Sequence, residues 1–158
     1  MVGDATVHLY QSYADAGFDP KVMPIASLTT TESEVRAMGF DVAEGQITAA
    51  PYFQSVASER NAAFVARYQK RHGEDAPTNM CAEAAYFQVH LFAKALAETN
   101  SMDTDIIKPA VLGSDFEAPQ GTVSVSPATS HTHLWSRIGR ANRRGQFDIV
   151  RQSAAPVW

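Results

Sequence analysis

The stretch PIASLTTTESEV, residues 24–35, decides the fold. Its first half belongs to a short apolar segment, residues 22–28, that is typical of a buried strand. Thr31 followed by Glu34 is the capping-box pattern that opens a helix. A second apolar segment, residues 45–53, predicts another strand. Strand, helix and strand in so short a length indicate parallel strands joined by a right-handed crossover, and therefore an α/β fold.

The rest of the chain predicts a helical middle and a strand-rich end. Helices are expected over residues 5–16, 31–38, 58–71 and 103–112, with a long one from a cap at Thr78 or Asn79 to about Glu98; strands are expected over residues 121–126, 134–140 and 147–152. On the long helix, the apolar spacing predicts a buried stripe of Ala85, Val89, Phe92 and Leu96.

Composition narrows the classes of protein. The 158 residues are 45% hydrophobic and 19% charged with a formal net charge of −4, so nothing favours nucleic acid or an anionic membrane as a partner. Basic residues cluster only in residues 131–144, which we interpret as a solvated hairpin. No apolar run is long enough for a membrane span. The single cysteine, Cys81, excludes an intramolecular disulfide and a multi-cysteine metal site.

Sequence patterns of catalysis are weak. GxSxG, a phosphate-binding glycine loop and HExxH are all absent from the sequence. His131 and His133 form a pair without a third ligand, and Glu83, Glu98 and Glu117 have no evident partner. We therefore expect a protein that is not an enzyme and that has no cofactor or metal.

Two corners of the predicted fold place polar groups where a ligand would bind. Thr29 and Thr30 follow a strand and precede a helix, and ligands of open α/β sheets bind beyond the carboxyl ends of the strands. Thr31 is interpreted as the helix cap; for Thr29 and Thr30, turn formation and ligand binding both remain open. Gly3 and Asp4 form a similar corner if a strand precedes them, with Asp4 as a simple helix cap being the alternative.

Five segments in order resemble a known family. They are residues 24–35, 49–56 (AAPYFQSV), 82–89 (AEAAYFQV), 116–123 (FEAPQGTV) and, at the end, 137–139 with 145–150 (RIG and GQFDIV). The chain resembles the short-chain amide and urea branch of the type I periplasmic-binding-fold proteins. The resemblance implies a two-lobed, Rossmann-like fold of three αβα layers, with a β-rich hairpin region at the carboxyl end.

The same resemblance implies an organisation. Proteins of this kind are more than twice as long, so the chain is expected to be a carboxyl-terminal portion. Residues 1–53 would be part of the second lobe, residues 54–120 a helical segment that crosses back toward the first lobe, and residues 121–158 the last strands and the return through the hinge.

The resemblance also implies a function, namely binding of urea or a short aliphatic amide by closure of a cleft. Thr29, Thr30, Gly3, Asp4 and Tyr52 would then contact the ligand. An ABC-transporter permease or an antitermination regulator protein would be the partner, and the protein would be periplasmic if it carries a signal peptide and cytoplasmic otherwise. One alternative is an amino-acid-binding protein, branched-chain or other, in which Asp4 pairs with the ammonium group. Another is a truncated fragment without ligand function that self-associates into a homo-oligomer.

Overall fold

A computed structural model describes residues 3–157. Six helices are present in this range: α1 Asp4–Asp15, α2 Glu32–Met38, α3 Phe40–Ala43, α4 Glu59–His72, α5 Met80–Thr99 and α6 Thr104–Val111. Seven strands alternate with them or follow them: β1 Ala26–Ser27, β2 Ile47–Ala50, β3 Asp115–Ala118, β4 Gly121–Val125, β5 Thr132–His133, β6 Arg137–Ala141 and β7 Phe147–Gln152. The chain is therefore α/β, as predicted.

The strands form two sheets. The first, which we call the mixed sheet, has the order β1-β2-β6-β7. β1 and β2 are parallel, with Ala26 opposite Ile47, and this confirms the predicted crossover through α2. β6 and β7 complete this sheet as an antiparallel hairpin. The second, which we call the antiparallel sheet, has the order β3-β4-β5.

Each sheet has a hydrophobic core of its own. The core of the mixed sheet includes Tyr10 of α1, Val35 of α2 and the pair Phe53 and Phe147, whose rings are tilted by 37° with centroids 4.8 Å apart. A Cβ atom at Gly139 would lie 2.7 Å from Phe53 Cζ, so only glycine lets this ring reach the sheet. The core of the antiparallel sheet consists of buried residues of α5, β3 and β4, namely Phe87, Leu91, Ala118, Val123 and Val125. The predicted divisions at residues 53 and 120 remain a prediction.

The predicted stripe of α5 is wrong. Val89 is 66% exposed and Phe92 45% exposed, whereas the buried positions are Glu83, Phe87, Leu91 and Ala95. The buried residues recur at every fourth position and include a carboxylate, so a search for apolar spacing alone selected the neighbouring face.

Several predicted strands are shorter in the structure. The segment 22–28 contributes only Ala26–Ser27, and the segment 45–53 only Ile47–Ala50. The segment 134–140 begins its strand at Arg137, because the chain has just left the antiparallel sheet after β5. Within the described range, β1 lies at an edge of the mixed sheet, and Val22, Met23 and Leu28 beside it are exposed. No helix in residues 3–157 has the length and apolar character needed to cross a membrane.

Candidate functional site

The polar corner after β1 is built around Ser27. The Ser27 hydroxyl oxygen accepts hydrogen bonds from the backbone N–H groups of Thr29 (3.1 Å) and Thr30 (3.0 Å) and from the Thr30 hydroxyl (2.8 Å). A serine that accepts from the backbone two and three residues later is a known turn former. Ser27 therefore holds the turn that presents the two threonines, although the sequence analysis did not select it.

Thr30 is 2% exposed, and its hydroxyl lies 3.0 Å from the hydroxyl of Tyr10 on α1. Either hydroxyl can donate in the contact between Tyr10 and Thr30, so Tyr10, Thr30 and Ser27 form one chain of hydroxyls. We call Tyr10, Ser27, Thr29 and Thr30 the hydroxyl corner.

Thr31 is the helix cap, as predicted. Its hydroxyl accepts from the N–H of Ser33 at 3.2 Å, and the Glu34 carboxylate accepts from the N–H of Thr31 at 2.8 Å. This reciprocal pair satisfies backbone donors at the start of α2. Thr31 is therefore used by the fold itself.

Gly3 and Asp4 lie at the start of α1. Gly3 is the N-cap residue with φ of 63°, a value that favours glycine, so the alternative in which Asp4 caps the helix is wrong. Asp4 is exposed in the first turn, where a carboxylate interacts favourably with the helix dipole. Tyr10 lies about 9 Å further along the helix axis, at 1.5 Å per residue, so α1 connects Asp4 to the hydroxyl corner. Between them, the buried hydroxyl of Thr6 has no hydrogen-bond partner among residues 3–157.

Tyr52 lies apart from the hydroxyl corner, in the segment that follows β2. It is 1% exposed, and its hydroxyl donates to Asn61 Oδ1 at 2.7 Å and lies 2.8 Å from the Thr78 hydroxyl. Burial raises the pKa of Tyr52 above its usual range, so the phenol remains neutral. Tyr52 thus fixes the start of α4 and α5 relative to β2, and its contact with a ligand remains a prediction.

The sequence analysis did not predict that two glutamates are buried and accept hydrogen bonds from distant residues. Glu32, 1% exposed, accepts from the N–H of Gln54 at 2.8 Å. Glu83, fully buried, accepts from the side-chain amide of Gln120 at 2.8 Å. Burial raises the pKa of each carboxyl to about 7, against the opposing effect of these hydrogen bonds. No sequence pattern marks either residue, because each partner is distant along the chain.

The structure brings Thr29 and Thr30 together at the hydroxyl corner. Gly3 and Asp4 lie at the start of α1, the helix whose Tyr10 contacts Thr30. Tyr52 lies apart from both places. The arrangement offers hydroxyl donors and acceptors and one exposed carboxylate, which suits recognition of a small polar solute. Within residues 3–157, no cluster of three or more His, Cys, Asp or Glu side chains is arranged to hold a metal ion.

We expect Ser27→Ala to lower the free energy of unfolding by about 1–3 kcal/mol, because three donors lose their shared acceptor. Urea denaturation measures this change. Ser12→Ala, at an exposed position of α1, is the control and should change stability by less than about 0.5 kcal/mol. Equal effects of the two substitutions would contradict the central role of Ser27.

Comparisons with known proteins agree on the family. The periplasmic binding protein domain family matches residues 1–158. Among curated proteins, a Leu/Ile/Val-binding protein homolog 6 of Brucella melitensis biotype 1 is 28% identical over 132 residues, or 82% of this chain and 34% of that protein. A protein named limonene hydroxylase, of Geobacillus stearothermophilus, is 31% identical over 120 residues, or 76% of this chain and 22% of that protein.

A solved structure shows the same fold. It is a solute-binding protein of an ABC transporter from Rhodopseudomonas palustris BisB5 in complex with 3,4-dihydroxybenzoic acid, with a TM-score of 0.83 and 25% identity over 95% of this chain and 42% of that one. The chain thus spans about a third or less of the curated relatives and under half of the solved one. None of the three has a name that mentions an amide or urea, so the narrower resemblance to that branch is not confirmed. The chain belongs to the periplasmic binding protein domain family.

Proposed function

We propose that the chain is part of the solute-binding component of an ABC transporter and that its ligand is an amino acid with an apolar side chain. The observation that carries this proposal is the exposed carboxylate of Asp4 at the start of the helix that also reaches the hydroxyl corner. The name of the Leu/Ile/Val-binding relative supports the same class of ligand.

The chemistry of a free amino acid fits these groups. Its ammonium needs an anionic partner when it leaves water, and Asp4 is such a partner. Its carboxylate needs hydrogen-bond donors, and hydroxyl groups such as those of the hydroxyl corner are donors of that kind. Urea and short amides have no charge, so they need no ionic partner and Asp4 could serve them only as a hydrogen-bond acceptor; binding of these ligands remains a prediction.

An aromatic carboxylate is the second candidate. The solved relative at 25% identity holds 3,4-dihydroxybenzoic acid, whose carboxylate and hydroxyls would also use hydroxyl partners. Such a ligand has no cation, and Asp4 would then repel it or stay in solvent. The two candidates are therefore distinguished by the charge at position 4.

Binding would act through a change of population between open and closed forms, because a ligand held by both halves stabilises the closed one. A permease would recognise the closed form, which places the protein outside the cytoplasmic membrane in this proposal. The relative named limonene hydroxylase shares only 22% of its length with this chain, so its name gives no activity to the matched segment.

The experiment is calorimetric titration of the protein, as this chain and with any upstream coding sequence included, against leucine, 3,4-dihydroxybenzoate, acetamide and urea. Asp4→Asn should weaken leucine binding at least about tenfold, since a charge-assisted hydrogen bond is worth about 1.5–3 kcal/mol. It should leave acetamide unchanged and leave or improve dihydroxybenzoate.

Asp15→Asn, which removes an exposed charge at the other end of α1, is the matched control and should leave all affinities unchanged. If Asp4→Asn binds leucine as tightly as the parent, Asp4 does not contact the ligand. Heat with dihydroxybenzoate alone would select the second candidate, heat with acetamide or urea alone would select the amide reading, and no heat with any solute would refute the transport proposal.

A further inference from the structure

Arg137 is a buried cation in a segment that the sequence predicted to be exposed. It is the first residue of β6 and 4% exposed, whereas Arg140, Arg143 and Arg144 of the same basic segment are exposed as expected. Its guanidinium donates to the backbone carbonyl of Pro51, to that of Gln120 at 2.7 Å and to Gln152 Oε1 at 3.1 Å. The ring of Trp135 covers it at 5.3 Å.

These contacts belong to different parts of the fold. Pro51 begins the segment that leaves the mixed sheet for α4, and Trp135 lies in the segment that leads from the antiparallel sheet back to β6. Gln120 forms the turn between β3 and β4, and Gln152 ends β7. The Arg137 guanidinium therefore contacts the segment that leaves β2, the segment that leads from β5 to β6, and the turn between β3 and β4.

Gln120 extends this set of bonds into α5. Its backbone N–H and side-chain amide both donate to Glu83, and its side-chain oxygen accepts from the N–H of Trp135 at 3.1 Å. The next residue, Gly121, has φ of 113°, and a Cβ there would lie 2.5 Å from Trp135 Nε1. The turn is thus shaped to receive the tryptophan that covers Arg137.

A purely structural core position rarely uses arginine, because burying a charge is costly and apolar residues of similar volume fill space as well. What arginine adds is a planar fork that binds several acceptors at fixed angles. At position 137 these acceptors are uncharged groups of separate segments, so the fork fixes direction rather than neutralising a carboxylate.

We propose that Arg137 is a positioning residue that fixes the orientation of the mixed sheet relative to the antiparallel sheet, and thereby the width of the cleft beside it that Ser58, Gln120, Trp135 and Phe147 line. Its consequence for a ligand rests on the proposed transport function. The orientation itself does not, so it is tested without any ligand.

The test measures the distance between α1, which packs on the mixed sheet, and the far end of α5, which packs on the antiparallel sheet, by double electron–electron resonance in the whole chain. One spin label is placed at Ala97→Cys, at an exposed position near the carboxyl end of α5, in a Cys81→Ala background that removes the only native cysteine. The second is placed at Gln11→Cys, at an exposed position of α1. We expect a single narrow distribution for the parent, at least a twofold broader one for Arg137→Met, and an intermediate width for Arg137→Lys, which keeps the charge but not the fork.

Arg140→Met, at an exposed position of the same strand, is the matched control and should keep the narrow distribution. Circular dichroism confirms folding for each variant. If Arg137→Met does not fold, Arg137→Lys decides the matter. A folded Arg137 variant with the parent's width overturns the proposal, and so does equal broadening by Arg140→Met. An unchanged distance distribution refutes this inference whatever happens to leucine binding. A change in leucine binding alone bears only on the proposed function.

Discussion

The free energy of unfolding is expected to fall as the pH rises from 4.5 to about 7 and then to level off, because over this range Glu32 and Glu83 are ionised in the unfolded chain but keep their protons in the folded one. In the unfolded chain both carboxyls titrate near 4.5. In the folded chain burial keeps them protonated until about pH 7. Between these values the native state binds more protons than the unfolded state, so its stability decreases with increasing pH.

The size of the effect follows from the shift. Each pKa unit corresponds to about 1.4 kcal/mol, so each glutamate accounts for about 3 kcal/mol across this range. For Glu83 the charge of Arg137 acts in the opposite direction and limits the shift. A total of several kcal/mol is a large part of the stability of a typical domain.

Urea denaturation at half-unit steps from pH 4.5 to pH 8.5 measures this dependence. Glu32→Gln and Glu83→Gln should each flatten the curve by about half, since glutamine does not titrate. Glu98→Gln, at an exposed position of α5, should leave the slope unchanged. A parent whose stability is constant, or rises, between pH 5 and pH 7 would show that both carboxyls are already ionised in the folded state.

Phe53→Ala is expected to destabilise the protein by about 3–5 kcal/mol, the usual cost of removing a large buried aromatic side chain. Phe53 is 1% exposed, packs against the ring of Phe147 and occupies the space above Gly139. Since this core also includes residues of α1 and α2, the cavity would affect the helices that form the hydroxyl corner. Thermal and urea denaturation of the purified variant measure the loss.

Phe92→Ala is the informative control, because apolar spacing predicted Phe92 for the core and the structure exposes 45% of it. Its substitution should change stability by less than about 0.5 kcal/mol. A larger loss of stability for Phe92→Ala than for Phe53→Ala would mean that α5 packs on the core through the face predicted from apolar spacing and not through the face seen in the structure.

The local signals in the sequence predicted much of the fold. Thr31 and Glu34 predicted the start of α2, and Gly17, Gly39 and Gly73 predicted helix ends to within a few residues. The parallel pairing of β1 with β2 followed from the order of elements. The helix starts and ends were predicted because each depends on residues within one turn of each other, where backbone preferences act directly.

The failures involve partners that are distant along the chain. Glu83 lies in the buried face of α5 because Gln120 satisfies it 37 residues later. Arg137 can be buried because the carbonyl of Pro51, 86 residues earlier, accepts a hydrogen bond from its guanidinium. A charged residue is assigned to the surface by default. Only the folded chain shows that its charge or hydrogen bonds are satisfied inside.

The candidate site shows the same division. Thr29 and Thr30 were found because they follow a strand, whereas Ser27, the shared acceptor, was counted as part of the strand. Tyr52 was selected for its place after β2, but its hydroxyl binds Asn61 and Thr78. Position along the chain therefore identified the corner, and hydrogen bonding was needed to assign roles within it.

The short strand β1 has a practical consequence for anyone who purifies this chain. It lies at the edge of the mixed sheet in the described range, with Val22, Met23 and Leu28 exposed around it. The two-residue length of β1 limits backbone pairing with strands of other molecules, so the exposed apolar side chains beside it are the larger source of association. Precipitation at high concentration should therefore begin at this rim, and a lysine in place of Leu28 should raise the solubility limit while leaving the hydroxyl corner in place.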